Sequence, residues 1–116
     1  MARTTDEIEL VNEVRLVGRL PHAAEEMTLP SGDVISRFRV SVRRPEGAAA
    51  VRQAVDPVPC VAWNGRVRRS AASWRPGDLV EVTGAIRYRF FRSGGVTASR
   101  VEVEVASARL LRRGTT

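Results

Sequence analysis

The segment DVISRFRVSVRR, residues 33–44, constrains the fold most strongly because apolar and polar residues alternate along it. Alternation with a period of two is typical of a β-strand with one buried and one exposed face. Phe38 and three valines fall on one face of this segment. The other face carries Arg37, Arg39 and Arg43. The segment therefore predicts a strand whose outer face is basic.

Four further segments read as strands, at residues 13–20, 58–63, 78–93 and 96–111. Gly18 in the first of them indicates a bend or the close approach of another backbone. Pro59 marks an irregular or edge position in the second. Gly94-Gly95 predicts the turn between the last two strands. Alternation in the last strand places one set of residues on a shared face: Thr97, Ser99, Val101, Val103, Val105 and Ser107.

The segment NGRVRRSAASW, residues 64–74, changes from strand to helix periodicity. Val67, Ala71 and Trp74 recur at helical spacing, which predicts that Trp74 is buried rather than a ligand contact. Asn64 is suited to cap the helix, and Pro76-Gly77 to end it. Among the connections, residues 21–27 are predicted to be a loop. The Ala-rich residues 45–57 are predicted to be a flexible excursion with room for a short helical turn.

Five strands with a helix between the third and the fourth is the element order of an OB-fold, a small Greek-key barrel. The sequence therefore predicts an all-β chain with this five-stranded barrel at residues 12–111. An acidic leader at 1–11 and a short polar end at 112–116 flank it. No apolar run approaches the roughly 18 residues of a membrane span, and the single cysteine suits a reducing compartment. OB-folds use the outer face of their second and third strands, with two loops, to hold oligonucleotides or oligosaccharides.

Positive charge is concentrated in parts of the chain, which has a formal net charge of +6. Residues 34–55 hold five arginines against Glu46, and residues 60–75 hold four arginines against no acid. Clustered positive charge indicates a polyanionic partner. A solvated basic surface that keeps the protein soluble is the alternative interpretation.

The sequence gives little support for a catalytic site or a metal site. His22 is the single histidine and Cys60 the single cysteine, so a metal site lacks ligands and no cofactor is expected. Cys60 is interpreted as a small buried strand residue. No nucleophile elbow and no Walker or dinucleotide glycine pattern is present. The residues therefore favour a binding protein over an enzyme.

The stretch RYRFFR, residues 87–92, combines rings and guanidiniums on a predicted strand. If the strand is extended, Arg87, Arg89 and Phe91 share one face, and Tyr88 and Phe90 share the other. Planar rings beside cations are what a flexible nucleic-acid strand needs, because bases stack on the rings while phosphates meet the charges.

Several motifs in the same order resemble the bacterial single-stranded DNA-binding proteins. They are NEVRLVGRL, PSGDVISRFRVSVRR, CVAWNGR followed by a helix, and WRPGDLVEVTGAIRYR, and they cover residues 12–111. The resemblance implies sequence-tolerant binding of single-stranded DNA in replication, repair or recombination, in the bacterial cytoplasm at the nucleoid. It also implies a homotetramer, or a dimer. Trp63 and Phe91 fall at positions where that family carries stacking aromatics.

The chain departs from the family pattern at three places. No ring stands near Pro57 or Val58, or in residues 44–47, where the family carries further stacking aromatics. The family's long tail with an acidic, Phe-ended tip is missing, which implies a short, tail-less paralogue without recruitment of partner proteins through that tip.

Together these features predict a nucleic-acid-binding surface. Its residues are Arg37, Arg39, Arg43, Trp63, Arg87, Arg89, Phe90, Phe91 and Arg92. For Arg15 and Arg19 the sequence leaves two interpretations, a place in the binding groove or an ordinary solvated position. Two alternatives remain: an assembly subunit that docks on a replication-restart or recombination protein, and binding to RNA.

Overall fold

Six strands and one helix form the described part of the chain, which comprises residues 7–46 and 54–114 of a computed structural model. No helix in these ranges is long and apolar enough to cross a membrane. In chain order the elements are β1 (Val14–Arg19), β2 (Glu25–Thr28), β3 (Val34–Arg43), β4 (Val55–Ala62), α1 (Gly65–Ala72), β5 (Leu79–Ser93) and β6 (Val96–Arg112).

Five of the strands close into a barrel in the order β1, β5, β6, β4, β3. The barrel closes where Arg19 of β1 pairs with Ser41 of β3. On the opposite side β4 and β6 run parallel at Cys60 and Val61, and the other pairings are antiparallel. With α1 between β4 and β5, this is the predicted OB-fold.

The barrel interior is filled by the inward faces of the strands and covered at one end by α1. Val40, Val80 and Val82 are fully buried. Phe38 meets Trp74 edge-on, with ring centroids 5.3 Å apart. Trp74 is only 4% exposed, which confirms the prediction that it is a core residue.

Asn64 caps α1 as predicted, because its side-chain oxygen accepts a hydrogen bond from the Val67 N–H at 2.8 Å. Its amide nitrogen donates to the Ala106 carbonyl of β6 at 3.2 Å. The Asn64 side chain therefore caps an N–H group in the first turn of α1 and also links the helix to β6 of the barrel.

Asp78 joins the turn after α1 to the end of β6. Its buried carboxylate accepts hydrogen bonds from the backbone N–H groups of Arg75 and Gly114, each at 2.8 Å. The Arg113 guanidinium donates to it at 2.9 Å. These bonds, with that from Gly114 the largest cause, lower the pKa of Asp78 below its ordinary value.

Gly18 confirms the prediction of a close backbone approach. A Cβ at this position would meet the Ser41 carbonyl oxygen of β3. Since Ser41 belongs to the pairing that closes the barrel, a larger residue at position 18 cannot fit without moving one of the two strands.

Two connections are shorter in the structure than in the prediction. Residues 25–27 lie in the connection predicted at 21–27, yet together with Thr28 they form the short strand β2 against β3. All four are exposed, so they show no apolar pattern, and their strand conformation comes from pairing with β3. β4 begins at Val55, inside the predicted excursion at 45–57. The excursion's predicted flexibility falls largely on residues 47–53, outside the described ranges.

Pro59, the second of two prolines in β4, lies where the sequence placed it, at an edge. Pro59 pairs with Arg39 of β3, whereas β6 pairs with β4 only from Cys60 onward. The missing N–H of a proline therefore costs no bond to β6.

Alternation along β6 is interrupted by an irregularity that the sequence did not show. Opposite the Thr83–Gly84 step of β5 the register shifts, so that Thr83 faces Ser107 while Gly84 faces Val105. The prediction that Ser107 shares a face with Val105 is therefore wrong. The Ser107 and Thr83 hydroxyls hydrogen-bond to each other, whereas Val105 is in the core.

Candidate nucleic-acid interface

A groove of about 440 Å³ runs over the outer face of β3 and β4. Arg37 and Arg39 of β3 and Pro59 of β4 line it, facing Arg100 and Glu102 of β6. His22, in the connection between β1 and β2, lies at its rim. The groove is therefore bounded by the two strands that the sequence predicted to be the binding face, and two of the predicted arginines line it.

The outer face of the β5–β6 hairpin carries a network of arginine–glutamate pairs. The Arg87 Nε donates to Glu104 Oε2 at 2.9 Å. The Arg89 Nε donates to Glu102 Oε1 at 2.8 Å. Glu102 is only 5% exposed, so Arg89 compensates a charge that is otherwise costly to bury. Two of the three predicted hairpin arginines, Arg87 and Arg89, therefore have their charges balanced by carboxylates of β6.

Trp63 lies directly after β4, beside this network. The Cζ atom of Arg89 sits 5.3 Å from the centre of its ring system, within cation–π range. The indole is half-buried and lines a second, wider depression together with Arg87 and Glu104. Arg89 therefore lies between Trp63, which lines this depression, and Glu102, which lines the groove.

Phe91 continues the same face of the hairpin toward its tip. Phe91 is 43% exposed, and the Cζ atom of Arg100 lies 5.6 Å from the centre of its ring. Arg89 and Arg100 face each other across the hairpin. Trp63 and Phe91 therefore stand on one surface, each with a guanidinium over its ring.

Two predicted site residues lie on the other face of the hairpin, and Arg43, on the same face of β3 as Arg37 and Arg39, does not line the groove. Phe90 and Arg92 belong to the opposite face of the hairpin, since successive residues of β5 alternate. Phe90 is 72% exposed and stacks near Tyr88, with centroids 6.5 Å apart. Arg43 is exposed at the end of β3, opposite Val55. Whether these three contact a ligand stays a prediction.

Sequence reasoning missed the acidic residues of the interface. Arg100, Glu102 and Glu104 alternate with the valines of β6, so they had to share the face opposite Val101 and Val103. That face lies against Arg87 and Arg89 once β5 and β6 form a hairpin. Counting both faces of β6 would have indicated that the hairpin arginines are paired.

Cys60 is buried beneath the groove, as predicted. Burial raises the pKa of its thiol to about 12, and the nearby charge of Glu102 adds to the effect. A thiol with this pKa is protonated at neutral pH and is therefore a poor nucleophile.

Arg15 of β1 lines the same depression as Trp63, and there two arginines surround Glu81. The Nε atoms of Arg15 and Arg109 each donate to the Glu81 carboxylate at 2.8 Å. These bonds, with that from Arg15 the largest cause, lower the pKa of Glu81. Arg19 donates to the Gly77 carbonyl at 3.1 Å. Neither Arg15 nor Arg19 lines the groove over β3 and β4.

The chain is similar to known proteins along most of its length. A model of the single-strand binding protein family matches residues 11–111. Single-stranded DNA-binding protein 2 of Streptococcus agalactiae is 34% identical over 104 residues, which are 88% of this chain and 78% of that protein. Single-stranded DNA-binding protein 1 of Lactococcus lactis is 29% identical over 84 residues, 72% of this chain and 56% of that protein.

The fold is also found in a solved structure, that of the Plasmodium falciparum SSB complex with ssDNA. The two chains superpose with a TM-score of 0.69 at 17% identity, covering 91% of this chain and 97% of the other. At this identity the comparison concerns the fold alone, and it agrees with the OB-fold barrel described above. With the family match over residues 11–111, it follows that the chain belongs to the single-strand binding protein family.

Proposed function

We propose that the chain binds single-stranded DNA with little sequence preference and without catalysis, across the outer face of β3, β4 and the β5–β6 hairpin. The observation that carries the proposal is the placement of Trp63 and Phe91 on one surface beside the arginine-lined groove. Rings in a positive groove bind any base sequence, because every base has a face that can stack.

The arginines of this surface divide into two roles. Among the described residues Arg37, Arg39 and Arg100 form no ion pair, so their charges are available to phosphates. Arg87 and Arg89 are paired with Glu104 and Glu102. The proposal assigns phosphate contacts to the first group. It assigns to Arg89 the task of presenting a flat guanidinium, backed by Trp63, on which a base can stack.

Binding rather than chemistry also fits the reactive side chains of the described residues. The Cys60 thiol is protonated at neutral pH because burial raises its pKa to about 12. The proposal includes a cytoplasmic, nucleoid-associated location, since chromosomal single strands arise there.

Self-association is part of the proposal and is placed at the free edge of β1. Within the described ranges β1 pairs with β3 only at Arg19, so most of its outer edge has no strand beside it. The preceding residues Leu10 and Val11 are 92% and 62% exposed. An open edge next to exposed apolar side chains is suited to pairing with a second copy of the chain.

A titration with nucleic acids of matched length tests the proposed function. We expect oligo(dT) of 35 nucleotides to quench part of the tryptophan fluorescence, since Trp63 is accessible and Trp74 is buried. The affinity should fall steeply between 50 and 200 mM salt because phosphate contacts release counterions. Light scattering of the same samples should give the mass of a dimer or tetramer.

Parallel titrations with duplex DNA and with RNA of the same length distinguish the proposed function from its alternatives. Duplex DNA should bind more weakly than the single strand, because its bases cannot reach the rings. Tighter binding of the matching RNA would reassign the chain to RNA. The absence of binding to any of the three would contradict the proposal and favour an assembly role.

A further inference from the structure

Helix α1 exposes a group of arginines that the proposed groove does not use. Arg66 and Arg69 are exposed on the helix, Arg75 is exposed just after it, and Arg68 is half-buried between them. We call these four residues the helix patch. The first turn of α1 contains no acidic residue, and Val67 and Ala71 take the inward positions.

Within the described ranges the charges of the helix patch are not balanced by carboxylates, and four such arginines lie within ten residues of the chain. Elsewhere in the molecule six arginines pair with carboxylates: Arg15, Arg44, Arg87, Arg89, Arg109 and Arg113. Among the described residues none of the four patch arginines has a carboxylate within ion-pair distance. In this respect the patch resembles the groove, where Arg37 and Arg39 are also unpaired.

The composition of the patch indicates what kind of partner it suits. The outward positions of α1 hold arginine, serine and Ala72, and the large exposed apolar side chains of the molecule lie on other elements. A protein interface requires an apolar core, whereas a phosphate backbone requires mainly well-placed positive charge. Charge complementarity without an apolar pocket therefore favours a nucleic-acid backbone over an acidic peptide.

The patch also lies next to the proposed binding surface. Asn64, the cap of α1, lines the same depression as Trp63, and Arg66 follows two residues later. A helix of eight residues is about 12 Å long. A strand that passes from Trp63 over Asn64 therefore arrives at the first turn of α1, where Arg66 is exposed.

We propose that the helix patch is a second, sequence-independent phosphate-binding surface that takes the part of a single strand extending beyond Trp63. The inference rests on the proposed function and adds the route that a longer single strand takes beyond Trp63. Short strands occupy the groove alone, and longer strands also engage α1. Each phosphate neutralised by an arginine of the patch releases counterions and steepens the salt dependence of binding.

The test compares oligo(dT) of 6 and 35 nucleotides on the parent chain and on the variant Arg66→Ala/Arg69→Ala/Arg75→Ala. We expect the short oligonucleotide to bind both proteins with affinities within threefold of each other. For the long one, the slope of log K against log salt should become shallower by about 2 in the variant, since each neutralised phosphate contributes roughly 0.7 to that slope. Arg68 is left unchanged because it is half-buried.

A charge-preserving variant provides the control. Arg66→Lys/Arg69→Lys/Arg75→Lys should retain the parent slope, since lysine also binds phosphate as a point charge. An unchanged slope in the alanine variant, or an equal reduction in affinity for both oligonucleotides, would overturn the second surface while leaving the proposed function intact. A parent chain that binds neither oligonucleotide would overturn the proposed function, and this inference with it.

Discussion

Replacing Trp63 and Phe91 together by alanine is expected to weaken the binding of oligo(dT) by about a hundredfold or more. A ring that stacks a base contributes about 1–3 kcal/mol, and a loss of about 1.4 kcal/mol is tenfold in affinity. Trp63 also supports the guanidinium of Arg89, so its removal disturbs two contacts. Affinities from fluorescence anisotropy of a labelled oligonucleotide measure the effect.

Two further variants show whether such a loss comes from this surface. Tyr88→Ala removes an exposed ring from the opposite face of the hairpin and should change the affinity less than threefold. Trp74→Phe removes the buried tryptophan, so the fluorescence change on binding should persist and report Trp63 alone. If the Trp63→Ala/Phe91→Ala protein is folded and binds like the parent, the assignment of the surface is wrong.

Asp78→Asn is expected to lower the midpoint of thermal unfolding by roughly 10 °C, given that 1 kcal/mol shifts such a domain by about 4–8 °C. Asparagine keeps the shape of the side chain but loses the charge and one acceptor oxygen. The N–H groups of Arg75 and Gly114, which both donate to Asp78, can no longer both be satisfied. Calorimetry at neutral pH measures the shift.

The same carboxylate gives a pH dependence with a definite sign. The pKa of Asp78 in the folded chain is lowered from its ordinary value of 3.8. Its stabilising contribution is therefore complete above that value, and it is lost as the pH falls further toward the folded pKa. The difference between the parent and Asp78→Asn should shrink as the pH falls below about 4. A difference that stays constant down to pH 2 would contradict this account.

The barrel could be predicted because most of its strands carry their own signal. In β3 the alternation of Phe38 and Val40 with Arg37 and Arg39 defines both faces without help from the rest of the chain. β2 could not be predicted, since all its side chains are exposed and its conformation depends on pairing with β3. The register shift opposite Thr83 and Gly84 also could not be predicted, because register is a property of two strands together.

The residues of the candidate surface can be named from the sequence, but their arrangement cannot. Trp63 and Phe91 are rings in predicted strands, and the alternation of each strand is enough to assign them to an outward face. That Arg89 covers Trp63 and pairs with the buried Glu102 depends on three elements that meet only in the folded barrel. Charge counting therefore overstated the positive charge that the hairpin offers to phosphates.

The central claim is that a single strand lies across Trp63 and Phe91 on one face of the barrel. Photocrosslinking with an oligo(dT) that carries 5-iodouracil, followed by mass spectrometric mapping, tests it most directly. Tyr88 is the internal comparison, because it is an exposed ring on the other face of the hairpin. The account predicts attachment at Trp63 and Phe91 and little at Tyr88. Attachment at Tyr88 with none at Trp63 or Phe91 would contradict it.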